Sequence, residues 1–466
     1  MTKIKFGTDG WRAIIAQEFT VDNVMRVAYA SAQWLKSRGK TKVVIGFDCR
    51  FGGRLFTESA ARVLAENGMH VFMAPEFVST PMVSLGVVKL QADLGVVITA
   101  SHNPPSYNGY KLKSKLGGPM IPAEVAEVEA LIPDSVPAQP NSFDHYLEQG
   151  AIEYVALEDI YVAHAEAYFD LDAISKLPQK VAYDAMFGAG QNAMRRLLPN
   201  AVFLHSEYNP SFLGQAPEPI HRNLTELSDL IAGDDSIGCG IANDGDADRI
   251  GMYDGHGKFI DSHHLLLLLL YYMKEIKGET GKVIITFSVT EKMKKLAQQY
   301  GLDFEVTKIG FKYIAEIMAQ EDVIVGGEES GGLAVKGHIP ERDGIWNGLI
   351  ILEFMAKTGK SLEELIQVIY SKVGSFAFDR DDLHVTEELK AEILQACIDR
   401  KYKNFGSYTV QNVEDLDGFK FHLDENSWVM IRPSGTEPVL RVYSQAPTDA
   451  DVRKILDATG ATILPA

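Results

Sequence analysis

The pattern of apolar segments predicts an α/β protein with a separate α+β unit towards its C-terminal end. Short β-branched runs alternate with amphipathic stretches over roughly the first 370 residues, which argues for helices layered on largely buried sheets. Past about residue 372 that alternation gives way to one helical stretch followed by several strands. Length adds a third observation: 466 residues, at about 150 per domain, make roughly three domains or four.

The elements follow in order. Strands are expected at KVVIGFD from Lys42, GVVITA from Gly95, KVAYDA from Lys180, KVIITF from Lys282 and DVIVGG from Asp322. Their apolar residues run continuously instead of alternating, the mark of strands covered on both faces. TVDNVMRVAYASAQWLKSRG and TEKMKKLAQQYG carry the helical period between them. PDSVPAQP, from Pro133 to Pro140, follows the helical AEVAEVEALI and has linker composition, so a first domain is expected to end near residue 150. Leu265 to Leu270 is the most apolar run, far short of the ~20 residues that cross a bilayer, and reads as a buried core helix. In the tail, HVTEELKAEILQACIDRKY reads as a helix and SYTVQNV, FKFHL and SWVMIRP as strands.

Composition excludes several function classes. With 46% hydrophobic and 23% charged residues, wholesale disorder is out. The formal net charge of −18 repels nucleic acid and anionic lipid, so neither is expected as a partner, and an anionic substrate needs a local basic cluster. Cys49, Cys239 and Cys397 lie far apart with no CxxC spacing, which fits a reducing cytoplasm. The opening MTKIKFGTDGWR has no apolar stretch of the signal-peptide kind, so a soluble, cytoplasmic protein is expected.

Four apolar strands end in polar loops bearing Gly or Pro, the usual place for chemistry in α/β proteins. In NDGDADR, Asp244, Asp246 and Asp248 repel one another unless a cation sits among them, and an all-oxygen set favours Mg²⁺ or Ca²⁺. Arg249 and Gly255 stand where an EF-hand needs Gly and Glu, so that reading fails; a solvated acidic turn is the competing one. Arg249 itself suits a phosphate or a carboxylate. Ser101, in TASHNPPSYNGYK, is a nucleophile if a metal or base activates it, with His102 beside it and Lys111 ten residues on; a plain Ser/Asn/Pro turn is the alternative. GGEESGG places Glu328 and Ser330 two apart, able to accept from and donate to vicinal sugar hydroxyls, or simply a Gly-rich turn. RPSGTEP offers Arg432, Ser434 and Thr436 with the backbone around Gly435 as a phosphate cradle, or a surface turn. GETGK at Gly278 is no P-loop, since Val283 stands where Ser or Thr is required.

FGTDGWR, TASHNPPSYNGYK, NDGDADR, GGEESGG with HIPERDG, and RPSGTEPVLRVY occur in an order that resembles the α-D-phosphohexomutase superfamily, from Phe6 to Tyr443. Closest in appearance is the phosphoglucomutase/phosphomannomutase group. The resemblance implies three related mixed α/β domains around a cleft and a C-terminal α+β domain similar to the TATA-binding-protein fold. Domains are then expected over 1–150, 151–255, 256–371 and 372–466, carrying the phosphoserine, metal, sugar and phosphate loops.

It also implies roles. Ser101 resembles the phosphoserine, and Asp244, Asp246 and Asp248 with an oxygen of phosphorylated Ser101 would hold Mg²⁺. Arg12 would support the phosphoserine loop, with His102 beside it, and Lys111 is a candidate general acid/base. Glu328 and Ser330 resemble the pair that contacts sugar hydroxyls, and Arg249 follows the triad as the family pattern expects. Arg432, Ser434, Gly435 and Thr436 resemble the grip on the non-reacting phosphate. Gly332 stands where many relatives carry histidine, so His338 is expected to supply that function. Arg342, often lysine in relatives, would contact phosphate or hydroxyl, and Lys308 and Lys312 resemble a specificity loop. The implied activity interconverts hexose 1-phosphate and hexose 6-phosphate, glucose before mannose, through hexose 1,6-bisphosphate. Phosphoglucosamine mutase is the nearest alternative; a metal-dependent phosphatase or an inactive sugar-phosphate-binding protein lies outside the class. The expected partner is a small-molecule sugar phosphate, and the protein a monomer or dimer.

Overall fold

The computed structural model describes residues 3–7, 9–433 and 439–464. Three mixed sheets succeed one another along the chain, followed by an antiparallel one. In the first, Lys42–Phe47 lies between His70–Met73 and Leu94–Ile98, all parallel, and Tyr107–Ser114 and Trp11–Ile14 extend it antiparallel. The second pairs Lys180–Asp184 in parallel with Val202–Leu204 and Ile237–Asn243, then turns back antiparallel through Ile250–Asp254. The third sets Lys282–Thr286 between Phe304–Thr307 and Val323–Gly327 in parallel, with Leu333–Val335 antiparallel at its edge.

The buried β-branched runs are the central strands, as their continuous apolar pattern requires. The antiparallel edges are less legible in sequence. Tyr107–Ser114 carries Lys111 and Lys113 yet is buried over most of its length, because both lysines point from one face into a cluster of carboxylates. PDSVPAQP is a loop on the first layer: Arg26 and Arg62 bind the carbonyls of Pro133 and Pro140, and beyond it Ile152–Tyr154 joins the first sheet beside His70–Met73. The six leucines from Leu265 to Leu270 are all buried within the helix Ser262–Tyr271, and no helix among the described residues is long and apolar enough to cross a membrane.

The fourth unit is built from the strands Ala377–His384, Val439–Ala446, Trp428–Pro433, Phe419–His422 and Asn412–Glu414, all antiparallel, with helices Glu387–Ile398 and Asp449–Ile463. His384 ends a strand, so the helix expected to include it starts later, with Thr386 as its cap. The apolar pattern misses that first strand, since FDRDDLH is charged and only Ala377 is fully buried, and the expected elements also leave out the strand Val439–Ala446 and the helix Asp449–Ile463. The unit has its own apolar core, whereas one continuous core runs from Val83 and Leu157 through Tyr183 to Leu265–Leu270 and Trp346 and so joins the first three layers.

The loops leaving the carboxyl ends of the parallel strands meet where the layers converge. Gly245 lies against the Ser101 loop so closely that an added Cβ would come within 2.6 Å of the Ser101 carbonyl oxygen. Gly245→Ala must therefore part the two loops, and we expect a loss of about 1–3 kcal/mol in urea unfolding, as for other overpacked sites. Unchanged stability would show that the loops separate without cost.

Candidate active site

Ser101 follows the strand Leu94–Ile98 and has φ of 52°, a left-handed conformation that costs energy for a residue with a side chain. Its hydroxyl donates to Asp244 Oδ2 at 2.7 Å and lies 3.2 Å from His102 Nδ1. Burial, followed by the charges of Arg249, Arg12, Lys111 and Arg50, holds the His102 imidazole well below its usual range, so it is neutral. Arg12 reaches the same loop through Asn103 Oδ1 at 2.7 Å.

Asp244, Asp246 and Asp248 follow the buried strand Ile237–Asn243 and are themselves fully buried. Each offers an oxygen within 4.8 Å of the others. Asp246 accepts from Lys111 Nζ (2.8 Å) and Thr80 Oγ1 (2.5 Å), and Asp248 from Lys111 (3.1 Å) and Arg342 (2.6 Å). The second oxygens of Asp246 and Asp248 have no hydrogen-bond partner among the described residues. Burial and the neighbouring aspartates push the Asp244 carboxyl well up. Three hard oxygen ligands on one loop have the donor chemistry that fits Mg²⁺. Burial alone would raise Asp246, but Lys111, Thr80 and Arg342 bring it well below the usual range.

Lys111 is held by three carboxylates, for Asp9 Oδ2 lies 2.9 Å away in addition to Asp246 and Asp248. Burial would depress its pKa; the three aspartates push it up, so it is an ammonium. Asp9 was not singled out from sequence, although it sits within GTDGWR. It also binds Arg342 at 2.5 Å, and Lys111, Arg342, Lys113 and Arg12 overcome burial to hold its carboxyl well down. Thr80 and the Lys113–Glu341 pair, at 2.5 Å, are further additions. None of these had a local signal, because each partner lies far away in the chain.

Arg342 links the third layer to the cleft. It reaches Asp9 and Asp248, passes within 4.0 Å of Glu328, and stacks over Phe311 of the KIGFKYI segment. Burial raises the Glu328 carboxyl, partly offset by Arg342 and Arg249. Gly332 has a steric reason: a Cβ there would meet Arg342 Cδ at 2.4 Å, so a histidine at 332 and this Arg342 exclude each other. Arg249 donates its N–H to Asp244 and lies 3.7 Å from Glu218, while Ser330 is half-buried beside the cleft-facing Glu328. Lys312 lines a cleft of about 270 Å³ with Asp9 and Gly10, whereas Lys308 is exposed.

His338 is not brought into this cluster. It stacks on Trp346 at 3.9 Å and bonds Asp343 Oδ2 at 2.9 Å, with a side chain 2% exposed. Asp343 also accepts from Tyr161 and caps the helix Gly344–Thr358 through Trp346 N–H, so His338 steadies the residue next to Arg342 instead of facing the sugar loop. Arg432 pairs with Asp417 at 3.3 Å, and Asp417 also accepts the Ile309 N–H at 2.8 Å, which ties the fourth unit to the KIGFKYI segment. Ser434, Gly435 and Thr436 lie outside the described residues.

Comparison with known proteins accords with this geometry. Four models of the phosphoglucomutase/phosphomannomutase family match in order: α/β/α domain I over residues 3–137, domain II over 159–257, domain III over 261–373 and the C-terminal domain over 386–460. The phosphoglucomutase/phosphomannomutase of Thermococcus kodakarensis is 30% identical, covering 97% of this chain and 96% of its own. The phosphoglucosamine mutase of Methanocaldococcus jannaschii is also 30% identical, with the same coverage. The crystal structure of a "putative phosphomannomutase" from Thermus thermophilus superposes with a TM-score of 0.88 at 34% identity, covering 99% of each chain. The chain thus belongs to the phosphoglucomutase/phosphomannomutase family, within the α-D-phosphohexomutases, and is a mutase.

Proposed function

We propose that this enzyme interconverts hexose 1-phosphate and hexose 6-phosphate through phosphorylated Ser101 and a hexose 1,6-bisphosphate, with glucose preferred and mannose next. The observation that carries this reading is the Ser101 hydroxyl set 2.7 Å from Asp244, beside carboxylate oxygens that accept from no donor among the described residues. Asp244, Asp246 and Asp248, with an oxygen of phosphorylated Ser101, would hold Mg²⁺, which when bound supplies charge neutralisation at the transferring phosphoryl group.

The remaining chemistry belongs to the chain. As the phosphoryl group passes from Ser101 Oγ to a sugar hydroxyl, the P–Oγ bond breaks, the new P–O bond forms and the hydroxyl proton ends on the released Ser101 Oγ. In the return step the bisphosphate gives its other phosphoryl group to Ser101, whose hydroxyl gives up its proton as the departing sugar oxygen takes one. Lys111, an ammonium in the cluster, is placed to give that proton; it serves as base only after shedding the proton that Asp9, Asp246 and Asp248 stabilise. Glu328 and Ser330 accept from and donate to the sugar hydroxyls, and Arg342 and Arg249 add cations between the sugar and metal loops. Arg432 with Ser434, Gly435 and Thr436 grips the phosphate that is not reacting. Because the bisphosphate must turn end over end, a few multidentate contacts suit both orientations better than a moulded pocket.

A second reading keeps the same steps and takes glucosamine phosphate, since relatives of equal identity bear both names. Coupled assays on glucose, mannose and glucosamine 1-phosphates, with and without the matching bisphosphate, decide between them. Glucose 1-phosphate should give the highest kcat/KM; a glucosamine preference assigns the enzyme to the second reading.

Three substitutions test the roles. Ser101→Ala should lose at least about a thousandfold in rate, as expected when a covalent carrier is removed, and the phosphopeptide containing residue 101 should vanish from mass spectra. Near-normal turnover would remove the covalent mechanism. Asp246→Asn should abolish activity or demand far more Mg²⁺ with the fold intact by circular dichroism; wild-type activity that survives chelator removes the metal. Arg432→Ala should lose roughly 30- to several-thousand-fold in kcat/KM, the scale of ~2–5 kcal/mol for a desolvated charge-assisted contact. Phosphate release per turnover should rise in the same variant, and unchanged efficiency would show that the fourth domain does not reach the substrate.

A further inference from the structure

Arg50 is a wholly buried arginine that the steps above do not use. It leaves the carboxyl end of Lys42–Phe47, next to the parallel strand that delivers Ser101. Its guanidinium donates to four backbone carbonyls of one loop: Ser101 at 2.5 Å, Asn103 at 2.7 Å, Pro104 at 2.9 Å and Tyr107 at 3.0 Å. Asp48 lies 3.3 Å from its Nε. Asp48 also accepts from Thr99 Oγ1 at 2.5 Å, and Thr99 Oγ1 in turn accepts the Ser101 N–H at 2.8 Å. Both the N–H and the carbonyl of Ser101 are thus held by one buried unit, Asp48–Arg50–Thr99.

The unit has work to do at that residue. Ser101 is left-handed without being glycine, a conformation that persists only where its surroundings over-determine it. Within the loop itself the Asn103 N–H donates to the Ala100 carbonyl and the Tyr107 N–H to that of Pro104, which leaves the Ser101 carbonyl to Arg50. A planar fork with paired donors on each prong can bridge four converging carbonyls; the point charge of lysine, with three donors, cannot.

We propose that Arg50, backed by Asp48 and Thr99, is the positioning residue that fixes the Ser101 side chain, and the phosphoryl group it carries, against Asp244. The inference rests on the reading of Ser101 as the phosphoryl carrier. Arg50 touches no reacting atom; it acts through the backbone on either side of Ser101. By holding the loop, it also keeps phosphorylated Ser101 aligned for the sugar hydroxyl and turned from water.

The test uses the full-length enzyme labelled by ³²P-bisphosphate, with Arg50→Lys, Thr99→Val and Thr99→Ser. Thr99→Val is close to isosteric and removes only the hydroxyl relay, so it reports even if Arg50→Lys folds poorly. Arg50→Lys should lower kcat about a hundredfold, the scale of an ~1 Å misplacement, with KM for hexose 1-phosphate within about threefold. Thr99→Val should lower kcat about tenfold and Thr99→Ser restore it, since the serine keeps the hydroxyl. In Thr99→Val, and in Arg50→Lys where it folds, hydrolysis of the labelled phosphoserine should quicken at least about fivefold, a readout that mere loss of folded enzyme leaves unmoved. Thr99→Val with wild-type kcat and label lifetime overturns the proposal, as does a rate loss matched only by a smaller folded fraction. Label that never reaches residue 101 in the wild type overturns the phosphoserine reading and this inference with it; label on Ser101 with unaltered variants overturns this inference alone.

Discussion

The burial of three aspartates on one short loop is the constraint on which the rest of the cleft depends. Carboxylates taken out of water and packed together are costly unless cations answer them. Lys111 and Arg342 supply that answer from the first and third layers, and Asp9 bridges the two cations. The cluster is thus a polar joint between layers that also share one apolar core. Its incomplete satisfaction, two aspartate oxygens without a donor among the described residues, is what suits it to a cation as well as to a joint.

The same constraint explains a strand that looks wrong by composition. Tyr107–Ser114 buries two lysines on one face, two residues apart. Lys111 serves the aspartates of the second layer, and Lys113 serves Glu341, whose carboxylate also takes Ser84 Oγ at 3.1 Å. Glu341, Arg342 and Asp343 are thereby three consecutive charges with three different duties: anchoring to the first layer, entering the cleft, and capping a helix. The stack of His338, His164 and Trp346 behind them keeps that short segment in place.

The fourth domain stands apart energetically. Its apolar core is separate, and it meets the third domain through a small cluster around Phe287, Trp428 and Tyr443 and a few polar contacts, among them Thr290 with Gln445 and Lys292 with Asn426. Across that interface Asp417 joins Arg432 to the backbone of Ile309.

The sequence by itself determined the central strands, the leucine helix and the loops that carry chemistry, because each depends on neighbouring residues: an apolar run long enough for a strand, or alternating aspartates in one turn. The family resemblance, carried by local motifs, singled out Ser101, the triad, Arg12, Lys111 and Arg342 as candidates. Only the tertiary structure decided which of these meet. Asp9 became the bridge between Lys111 and Arg342, Thr80 a partner of Asp246, and Arg50 a clamp on the Ser101 loop, through contacts spanning from about fifty to more than three hundred residues. It sent His338 into an aromatic stack on Trp346, with its ring bonded to the Asp343 carboxylate. Pairings of buried charge are set by which strand ends converge in space, and local sequence carries no record of that.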